Sequence, residues 1–361
     1  MKRLKTRGWI LFLLLSLLLC SVLSSCGNND SISGEVVEAT PTALILQTNE
    51  GKRVAVLLED NTYIFGMDDI AGDNYKVAPH TGVRVTFFYE GRAGSITTSD
   101  GGQVKAYRAD PCIRIDAYLI SDAAVLSDGT VLDMWKTGFF GTTYQTKDGI
   151  ELLREEAPSG PENHYVGNME SFDDLGEVAK LHVAEFYEKQ GKLYDLSAEL
   201  ERAWTAYQTD PKAFSSFVVR QETSPAASNQ RVFYFRTTLM QTISGNAVQE
   251  TSLCAAFDRE TGANIPLVDL FACPEEDIVK SLLDLAEKDG SGPADPMVRA
   301  EMETAFRIEY LSFLQNSLWL EFPQGTLPSQ EYTYIVSVTF NDECKALLHP
   351  WAIPVTVTND T

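Results

Sequence analysis

The side chains that most often carry catalysis or bind metals are few and widely spaced in this 361-residue sequence. No two histidines stand in an HxH or HExxH spacing, so a zinc hydrolase would lack its usual ligands. GxSxG, Walker and GxGxxG motifs are also missing from the sequence. We therefore predict no catalytic residue, no metal site and no cofactor. The histidines are His80, His164, His182 and His349. His182 lies beside a predicted apolar helix stripe and is interpreted as a boundary or core residue.

Carboxylates are abundant, and they leave one catalytic alternative open. Neighbouring acids such as Glu155-Glu156 and Asp173-Asp174 point in different directions from a helix or loop and are usually solvated. A glycosidase, however, uses two carboxylates that can come from distant strands. A cell-wall-modifying hydrolase with such a carboxylate pair is therefore the alternative to a protein that is not an enzyme.

Four cysteines lie beyond the N-terminal segment, and their wide spacing contains no CxxC pair, which argues against a zinc site. Four cysteines allow three disulfide pairings, among which the sequence does not choose. Most of them stand in or beside apolar, strand-like segments, where a buried free thiol is a common core residue. We favour free thiols over one disulfide for Cys112, Cys254, Cys273 and Cys344.

The first 25 residues have the order of an export signal. Four basic residues precede an uncharged apolar run that covers residues 9–23. At about 1.5 Å per residue, a helix of this length reaches ~22 Å, which is short of the roughly 30 Å hydrocarbon layer. A permanent membrane span is therefore the weaker interpretation, and residues 1–25 are predicted to be a cleaved signal peptide.

The signal ends in Leu23-Ser24-Ser25-Cys26-Gly27, and this segment resembles the bacterial lipobox, in which two small residues precede the lipidated cysteine. The resemblance implies that Cys26 becomes the mature N-terminus and carries lipid, including palmitate. Two or more acyl chains hold a protein stably on a membrane. We expect a lipoprotein of the cell envelope, anchored on the extracytoplasmic face of the cell membrane, with residues 26–32 as a lipidated linker. The alternative is an ordinary secreted protein with a chance cysteine at this position.

The composition is strongly acidic. The whole chain has a formal charge of −22, and without the four signal cations 25 Lys and Arg stand against 51 Asp and Glu, a charge near −26. Nucleic acid is disfavoured as a partner, because its binding requires cations that neutralise phosphates. A basic protein would be attracted, at a rate that salt lowers. The alternative is that acidity only keeps an exported protein soluble.

Length, alternation and composition predict a multidomain protein. Its N-terminal part, residues 33–122, is predicted to be a small all-β barrel, OB-like, because closure of five or six short strands removes exposed sheet edges. SGEVVEA and ALILQTNEGKRVAVLL predict three strands, the last two joined at a turn where Gly51 supplies a positive φ. This region also resembles a small barrel-like domain of unknown function in bacterial surface proteins.

Two later strands of this part are predicted from alternation to bury one face each. The first face has Val83, Val85, Phe87 and Tyr89, and the second has Ile113, Ile115, Ala117 and Leu119. Aromatic residues here could instead form an exposed binding platform, but such platforms normally come with cations, and this segment is not basic. Core packing is therefore favoured over a platform for Tyr63, Phe65, Phe88 and Tyr89.

Residues 123–168 are predicted to be a glycine-rich connector, and residues 169–357 an α+β domain with an antiparallel sheet and several helices. One helix is predicted to begin at a Ser171 cap. A second is predicted to end at Asp210-Pro211, a third to begin at Pro274 and a fourth to cover residues 296–314. The buried stripe of the first helix is predicted to contain Leu175, Val178, Leu181, Val183 and Phe186. Strands are predicted at SSFVVRQETS, RVFYFRTTLMQTIS, AVQETSLCAAFD, SLWLEF and YTYIVSVTF.

The segment FDRETGANIPLVDLF, residues 257–271, predicts a tight turn that leads through a short strand into a helix. Gly262 permits a positive φ, and Asp258 and Thr261 can hydrogen-bond the backbone of the turn. The apolar residues that follow are predicted to fill the core. We favour a structural role for this segment over a binding site, because it contains no nucleophile and no metal-binding cluster.

These residues, and the order of elements across residues 170–355, resemble a domain of unknown function. That domain occurs in extracytoplasmic parts of lysozyme-sensing anti-sigma factors and beside some peptidoglycan deacetylase domains. The resemblance implies a binding or sensing module at the cell wall, with peptidoglycan or a cationic wall hydrolase such as lysozyme as its partner. The closing segment, which contains Cys344 and His349, departs from the family's pattern before Ile353-Pro354.

Overall fold

A computed structural model describes residues 31–59, 62–65, 81–137, 141–156, 158–163, 169–245 and 247–355. The chain divides into two compact units. The first comprises Met1–Ser121 and Trp135–Phe139, and the second comprises Asp122–Met134 and Phe140–Thr361. The described residues form a mixed α and β structure in which most strands belong to a large sheet.

The first unit is built from strands, and the second adds helices to strands. The first unit's strands are β1 (Ser31–Thr40), β2 (Ala43–Thr48), β3 (Arg53–Leu57), β4 (Tyr63–Phe65), β5 (Val83–Thr97) and most of β6 (Gln103–Val125). The second unit's strands include β7 (Val131–Thr137), which contributes to both units, β8 (Gly141–Gln145), β9 (Glu151–Glu155), β10 (Phe217–Ser228), β11 (Val232–Ser244), β12 (Ala247–Asp258), β13 (Asn264–Ile265), β14 (Leu311–Phe313), β15 (Ser317–Phe322) and β16 (Tyr334–Thr339).

In the first unit, the successive strand pairings form a closed circuit that begins and ends at β1. β1 pairs with β2, and β2 with β3, both antiparallel. β3 then pairs with β6 in parallel, β6 with β5 antiparallel, and β5 with β1 antiparallel. The predicted turn between β2 and β3 is confirmed, with Gly51 at a φ of 75°.

The core of the first unit follows the period-two alternation of its strands. Val83, Val85 and Phe87 are fully buried on one face of β5, as predicted. On β6, the predicted face is buried from Ile113 to Ala117, but Leu119 is 40% exposed, so its predicted burial is wrong. Leu119 lies past the end of the β5–β6 ladder, which stops at Val83 and Tyr118, and its backbone N–H donates to the carbonyl of Gly82 in the turn that precedes β5.

In the second unit, antiparallel ladders join β8 to β9 and run from β10 through β11 and β12 to β13. The prediction of an antiparallel sheet holds for these pairs, whereas β9 and β10 are parallel. The stretch predicted as a connector contributes β7, β8 and β9. A second sheet has the antiparallel order β14-β15-β16. The strands predicted from residue 215 onward are confirmed.

The helices of the second unit are α1 (Glu177–Gln190), α2 (Leu196–Thr209), α3 (Glu275–Lys288), α4 (Pro296–Ala305) and α5 (Asp342–Ala346). The predicted stripe of α1 is wrong in part: Val178 and Leu181 are 60% and 58% exposed, whereas Val183 is buried as predicted and Ala179, which the predicted stripe does not contain, is buried as well. The cause is the start of the helix, because Ser171 forms a capping box on a separate 3₁₀ turn and α1 begins only after Gly176.

Helices α2 and α3 lie where the sequence predicts them. Asp195 caps α2 by accepting hydrogen bonds from two backbone N–H groups, and Pro274 precedes α3. The predicted helix over residues 296–314 is wrong in its second half, because α4 ends at Ala305. Leu311, Ser312 and Phe313 are all buried and form β14, and a ladder with β15 satisfies their backbone groups.

Two apolar clusters lie on opposite faces of β10–β12, because alternate residues of each strand point in opposite directions. One face packs Phe233, Phe235 and Phe257 against α1. The other packs Tyr234 and Ala256 into a larger core with α3, α4 and β14–β16. None of the helices in the described part of the chain is both long and apolar enough to cross a membrane.

Candidate functional site

The predicted turn at the end of β12 is confirmed in detail. The Asp258 Oδ1 atom accepts from the backbone N–H of Thr261 at 2.9 Å and from its hydroxyl at 2.8 Å. Burial would raise the pKa of the Asp258 carboxyl, but these hydrogen bonds outweigh burial and lower it. Leu267, Leu270 and Phe271 are buried in the core beyond the turn, as expected. The turn at the end of the sheet is therefore closed by its own side-chain hydrogen bonds and is followed by residues buried in the core.

Helix α1 packs directly on this turn. Gly262 has a φ of 70°, and a Cβ atom built on it would lie 2.7 Å from the Cα of Ala179. His182, one turn further along α1, places its Nδ1 atom 2.7 Å from the carbonyl oxygen of Thr261. His182 is exposed, so it is a boundary residue that ties the helix to the turn.

The adjacent hairpin between β10 and β11 is organised by one side chain, Asn229. Its Oδ1 atom accepts from the backbone N–H groups of Arg231 and Val232, both at 2.7 Å. Its Nδ2 atom donates to the carbonyls of Trp351 at 3.0 Å and Ile353 at 2.8 Å. Asn229 therefore closes the hairpin and holds the C-terminal segment against it with the same amide.

An ion pair joins the turn to the segment before α1. The Arg259 guanidinium donates from both terminal nitrogens to Glu170, from Nη1 to Oε2 at 2.5 Å and from Nη2 to Oε1 at 2.7 Å. The Ser228 hydroxyl donates to the same Oε2 at 2.6 Å. Hydrogen bonds from Arg259, with a smaller contribution from Ser228, lower the pKa of the Glu170 carboxyl. The pair therefore stays ionised over the whole neutral range.

A cleft of about 450 Å³ opens beside this ion pair, within the 300–1,000 Å³ that is typical of small-ligand sites. Its polar lining combines one guanidinium and one carboxylate with a hydroxyl and side-chain amides. The side-chain amides of Gln230 and Gln315 have no hydrogen-bond partner in the part of the chain that the structure describes. The lining consists of Met169, Glu170, Ala227, Ser228, Asn229, Gln230, Arg259, Gln315 and Val355.

Among the residues of the second unit that the structure describes, three carboxylates are buried, and each has a cation beside it. Glu155 accepts from the hydroxyls of Tyr144 at 3.1 Å and Tyr194 at 2.6 Å and pairs with Lys192. Burial would raise the pKa of Glu155, but the hydrogen bonds from Lys192 and Tyr194 outweigh it and lower the pKa. Glu199 pairs with Arg202, and Glu321 with Arg236 at 2.7 Å.

The residues that the sequence singles out do not meet in one place. Cys26, His80 and His164 lie outside the described residues, and the side chain of Cys112 does as well. His349 stacks on Trp351 with ring centroids 5.7 Å apart. Within the described residues, no group of three or more His, Cys, Asp or Glu side chains is placed to hold a metal ion.

The thiols that the structure describes are free, as the sequence favours: Cys254 and Cys344 are buried, and Cys273 is partly buried. Burial raises the pKa of Cys254 and of Cys344 to about 12. The predicted core packing of the aromatic residues in the first unit is wrong for Phe88, which is 46% exposed. Tyr89 is partly buried and packs against Tyr107 at 4.6 Å between ring centroids.

Sequence reasoning missed the residues that build the cleft. Arg259 lies inside the segment singled out as a turn, but the turn pattern gives roles only to its neighbours. Asn229 follows a strand and precedes another, which is a signal for a hairpin turn residue. Glu170 is 89 residues from Arg259 and carries no local signal.

Comparisons with known proteins give a low level of similarity. No protein-family model matches the sequence, and no curated protein matches it. The structure is similar to that of a DUF3298 family protein from Pseudomonas aeruginosa PAO1, with 12% identity and a TM-score of 0.27, over 38% of this chain and 65% of that one. The chain thus spans less than two thirds of that protein. It is also similar to a DUF3298 family member from Bacteroides fragilis NCTC 9343, with 10% identity and a TM-score of 0.32, over 65% of this chain and 92% of that one.

Proposed function

We propose that this protein is a lipid-anchored, extracytoplasmic binding or sensing module at the cell wall, and that the cleft beside Arg259 is its binding site. The observation that carries the proposal is the lining of this cleft. It combines a fixed guanidinium and its paired carboxylate, Glu170, with amides without partners and apolar side chains, and a few polar groups among apolar ones are the usual composition of a site that orients a small ligand.

The ligand proposed for the whole protein is peptidoglycan or a cationic wall hydrolase such as lysozyme. The surplus of acidic residues supports the second, because a formal charge near −26 on the mature chain attracts a basic protein over long range. The cleft supports the first, because peptidoglycan offers amides, hydroxyls and carboxylates to the groups that line it. The lipid on Cys26 would keep either encounter at the outer surface of the membrane.

We propose in addition that the first unit is an OB-like barrel. The closed circuit of pairings through β1, β2, β3, β6 and β5 supports this assignment, and so does the parallel pairing of β3 with β6. Phe88 on β5 and Tyr118 on β6 are exposed aromatic side chains that such a barrel would offer to a ligand.

A hydrolase that uses a carboxylate pair is the competing proposal. A general acid needs a carboxyl whose pKa is raised, because it must hold a proton at the working pH. The pKa values of Glu155 and Glu170 are both lowered instead, because the hydrogen bonds from Lys192 and from Arg259 outweigh burial and favour the ionised carboxylates. Binding is therefore the better-supported function.

The proposed partners are tested by capture with the full mature protein held in detergent micelles. Hen lysozyme, insoluble peptidoglycan and an acidic control protein of similar size are offered at about 20 mM and about 500 mM salt, which change the screening length severalfold. We expect capture of lysozyme at low salt with a marked loss at high salt, and no capture of the acidic control. Failure to capture either lysozyme or peptidoglycan at low salt would refute the proposal.

The anchor is tested separately in the bacterial membrane fraction. Mass spectrometry of the native protein is expected to find Cys26 as the first residue with acyl chains attached. A Cys26→Ser variant should keep residues 1–25 and lose the lipid. An unmodified, uncleaved N-terminus in the wild-type protein would rule out the anchor.

A further inference from the structure

The ion pair at the edge of the cleft is asymmetric. The Arg259 side chain is 25% exposed, and the Glu170 side chain is 43% exposed. Arg259 is fixed from several directions: its Nη1 atom also donates to the carbonyl of Asn229 at 3.2 Å, and its guanidinium lies 5.7 Å from the Phe233 ring centroid. The guanidinium is thus held in place at the end of the sheet, and Glu170 is the more solvent-accessible partner of the pair.

The donors around Glu170 form a receptor for a carboxylate group. A guanidinium that meets both carboxylate oxygens is the geometry that arginine uses for carboxylate recognition in general. The hydroxyl of Ser228 adds a third donor, at 2.6 Å from Oε2. The receptor is occupied by a carboxylate of the same chain and borders directly on the 450 Å³ cleft.

We infer that the cleft binds a ligand through the ligand's own carboxylate, which replaces Glu170 on Arg259. This inference deepens the proposed function. It rests on that function only for where the ligand comes from, which is the cell wall. The exchange replaces one carboxylate with another on the same guanidinium. It therefore costs little, because a solvent-accessible ion pair contributes little to stability.

The rest of the cleft defines what must lie next to the carboxylate. Gln230 and Gln315 offer amide donors and acceptors, and Met169 and Val355 offer apolar contact. The ligand class is therefore a carboxylate flanked by amide or hydroxyl groups with a small apolar part. The carboxyl terminus of a peptide and an acidic amino sugar both have this chemistry.

Glu170 acts as a built-in competitor in this arrangement. Because it is tethered beside Arg259, its effective concentration is on the order of millimolar, and it weakens the binding of a free carboxylate. Removing its charge while keeping its shape should therefore strengthen ligand binding, which is the opposite of what a purely structural ion pair predicts.

The experiment measures binding to the full mature protein by calorimetry, with two probes. N-acetyl-D-alanyl-D-alanine supplies a peptide carboxylate, and N-acetylmuramic acid supplies a sugar carboxylate. The carboxamide form of each probe is the chemical control. We expect the Glu170→Gln variant to bind at least one carboxylate probe about three- to fivefold more tightly than the wild type, and its carboxamide no more tightly. The probe that responds identifies the source of the ligand.

Two further variants complete the test. Arg259→Lys keeps the positive charge but loses the two nitrogens that meet both carboxylate oxygens. The double variant Glu170→Gln/Arg259→Lys should therefore bind the carboxylate probe no more tightly than the wild type. Glu343→Gln removes the acid of another exposed ion pair, Lys288–Glu343, in the same unit outside the cleft, and it should leave binding unchanged. Circular dichroism checks that each variant is folded.

The inference is overturned if Glu170→Gln binds neither carboxylate probe more tightly than the wild type, or if it binds the carboxamides equally well. Capture on insoluble peptidoglycan, measured for the same proteins, separates this failure from failure of the proposed function. If the protein still captures peptidoglycan but binds neither small probe, the proposed function stands and the cleft is not a carboxylate-binding site.

Discussion

Gly262→Ala is expected to destabilise the second unit strongly, because two independent penalties meet at this position. The backbone φ of 70° is left-handed, which costs a residue with a Cβ about 1–2 kcal/mol. The added Cβ would also lie 2.7 Å from the Cα of Ala179, inside α1. This neighbour is helix backbone and not the end of a flexible side chain, so relief requires α1 to move, at about 1–3 kcal/mol.

The two penalties together give about 2–5 kcal/mol, a large fraction of the 5–15 kcal/mol that stabilises a typical domain. Gly290→Ala is the matched control, because Gly290 has a φ of 74° and nothing within 4 Å of the added Cβ. Gly290→Ala should lower the free energy of unfolding by the backbone penalty alone, about 1–2 kcal/mol. Urea unfolding followed by tryptophan fluorescence gives both free energies of unfolding. Equal destabilisation by the two substitutions would show that α1 does not press on the turn.

Two further predictions concern buried titratable groups. Glu155→Gln should cost about 1–3 kcal/mol at pH 7, because the charge-assisted bond from Lys192 is lost. The lowered pKa of Glu155 means that this contribution is complete above the unfolded carboxyl pKa of about 4.3 and is lost as pH falls through the folded value. The difference in unfolding free energy between wild type and variant should therefore shrink in acid, and a constant difference down to pH 2 would contradict this assignment. Cys254 and Cys344, with pKa values of about 12, should resist iodoacetamide at pH 8 in the native protein and react fully in guanidinium, as read by peptide mass spectrometry. Rapid labelling of either thiol in the native protein would contradict their burial.

The strands and the Thr-Gly turn could be predicted because their signals are local. Alternation over β10–β12 sets which residues are buried, and the residue types at Asp258, Thr261 and Gly262 are sufficient to specify a tight turn. The prediction for Gly262 is nevertheless incomplete. Sequence explains the positive φ, but the contact with Ala179 depends on how α1 packs.

The errors have a common physical cause, which is that periodicity does not mark where an element begins or ends. The predicted stripe of α1 includes Val178, because a helix that starts at the Ser171 cap would turn that residue inward. The cap instead belongs to the 3₁₀ turn Phe172–Asp174, and α1 begins at Glu177 in a different phase. In the same way, the apolar run after α4 fits a helix or a buried strand, and only pairing with β15 decides between them.

The two charges of the candidate site are positioned by different kinds of structure. The register of β11 with β12 pairs Val232 with Asp258, so Arg259 follows at the same sheet edge as the hairpin turn, and its N–H bonds to the carbonyl of Arg231 at 2.8 Å. A correct register would therefore have located the guanidinium from sequence.

Glu170 does not lie in a strand, so the register of the sheet does not determine its position. Its position is fixed by the next residue, Ser171, whose backbone N–H donates to the carboxylate of Asp174 at 2.6 Å within the capping box. The cation of the cleft thus belongs to the sheet, and its carboxylate belongs to a short turn that leads into α1. Among the described residues, no sheet hydrogen bond involves this turn, so the carboxylate can leave Arg259 without disturbing the ladder that holds the guanidinium. This division is what allows a ligand to exchange with Glu170 in a site whose cation stays in place.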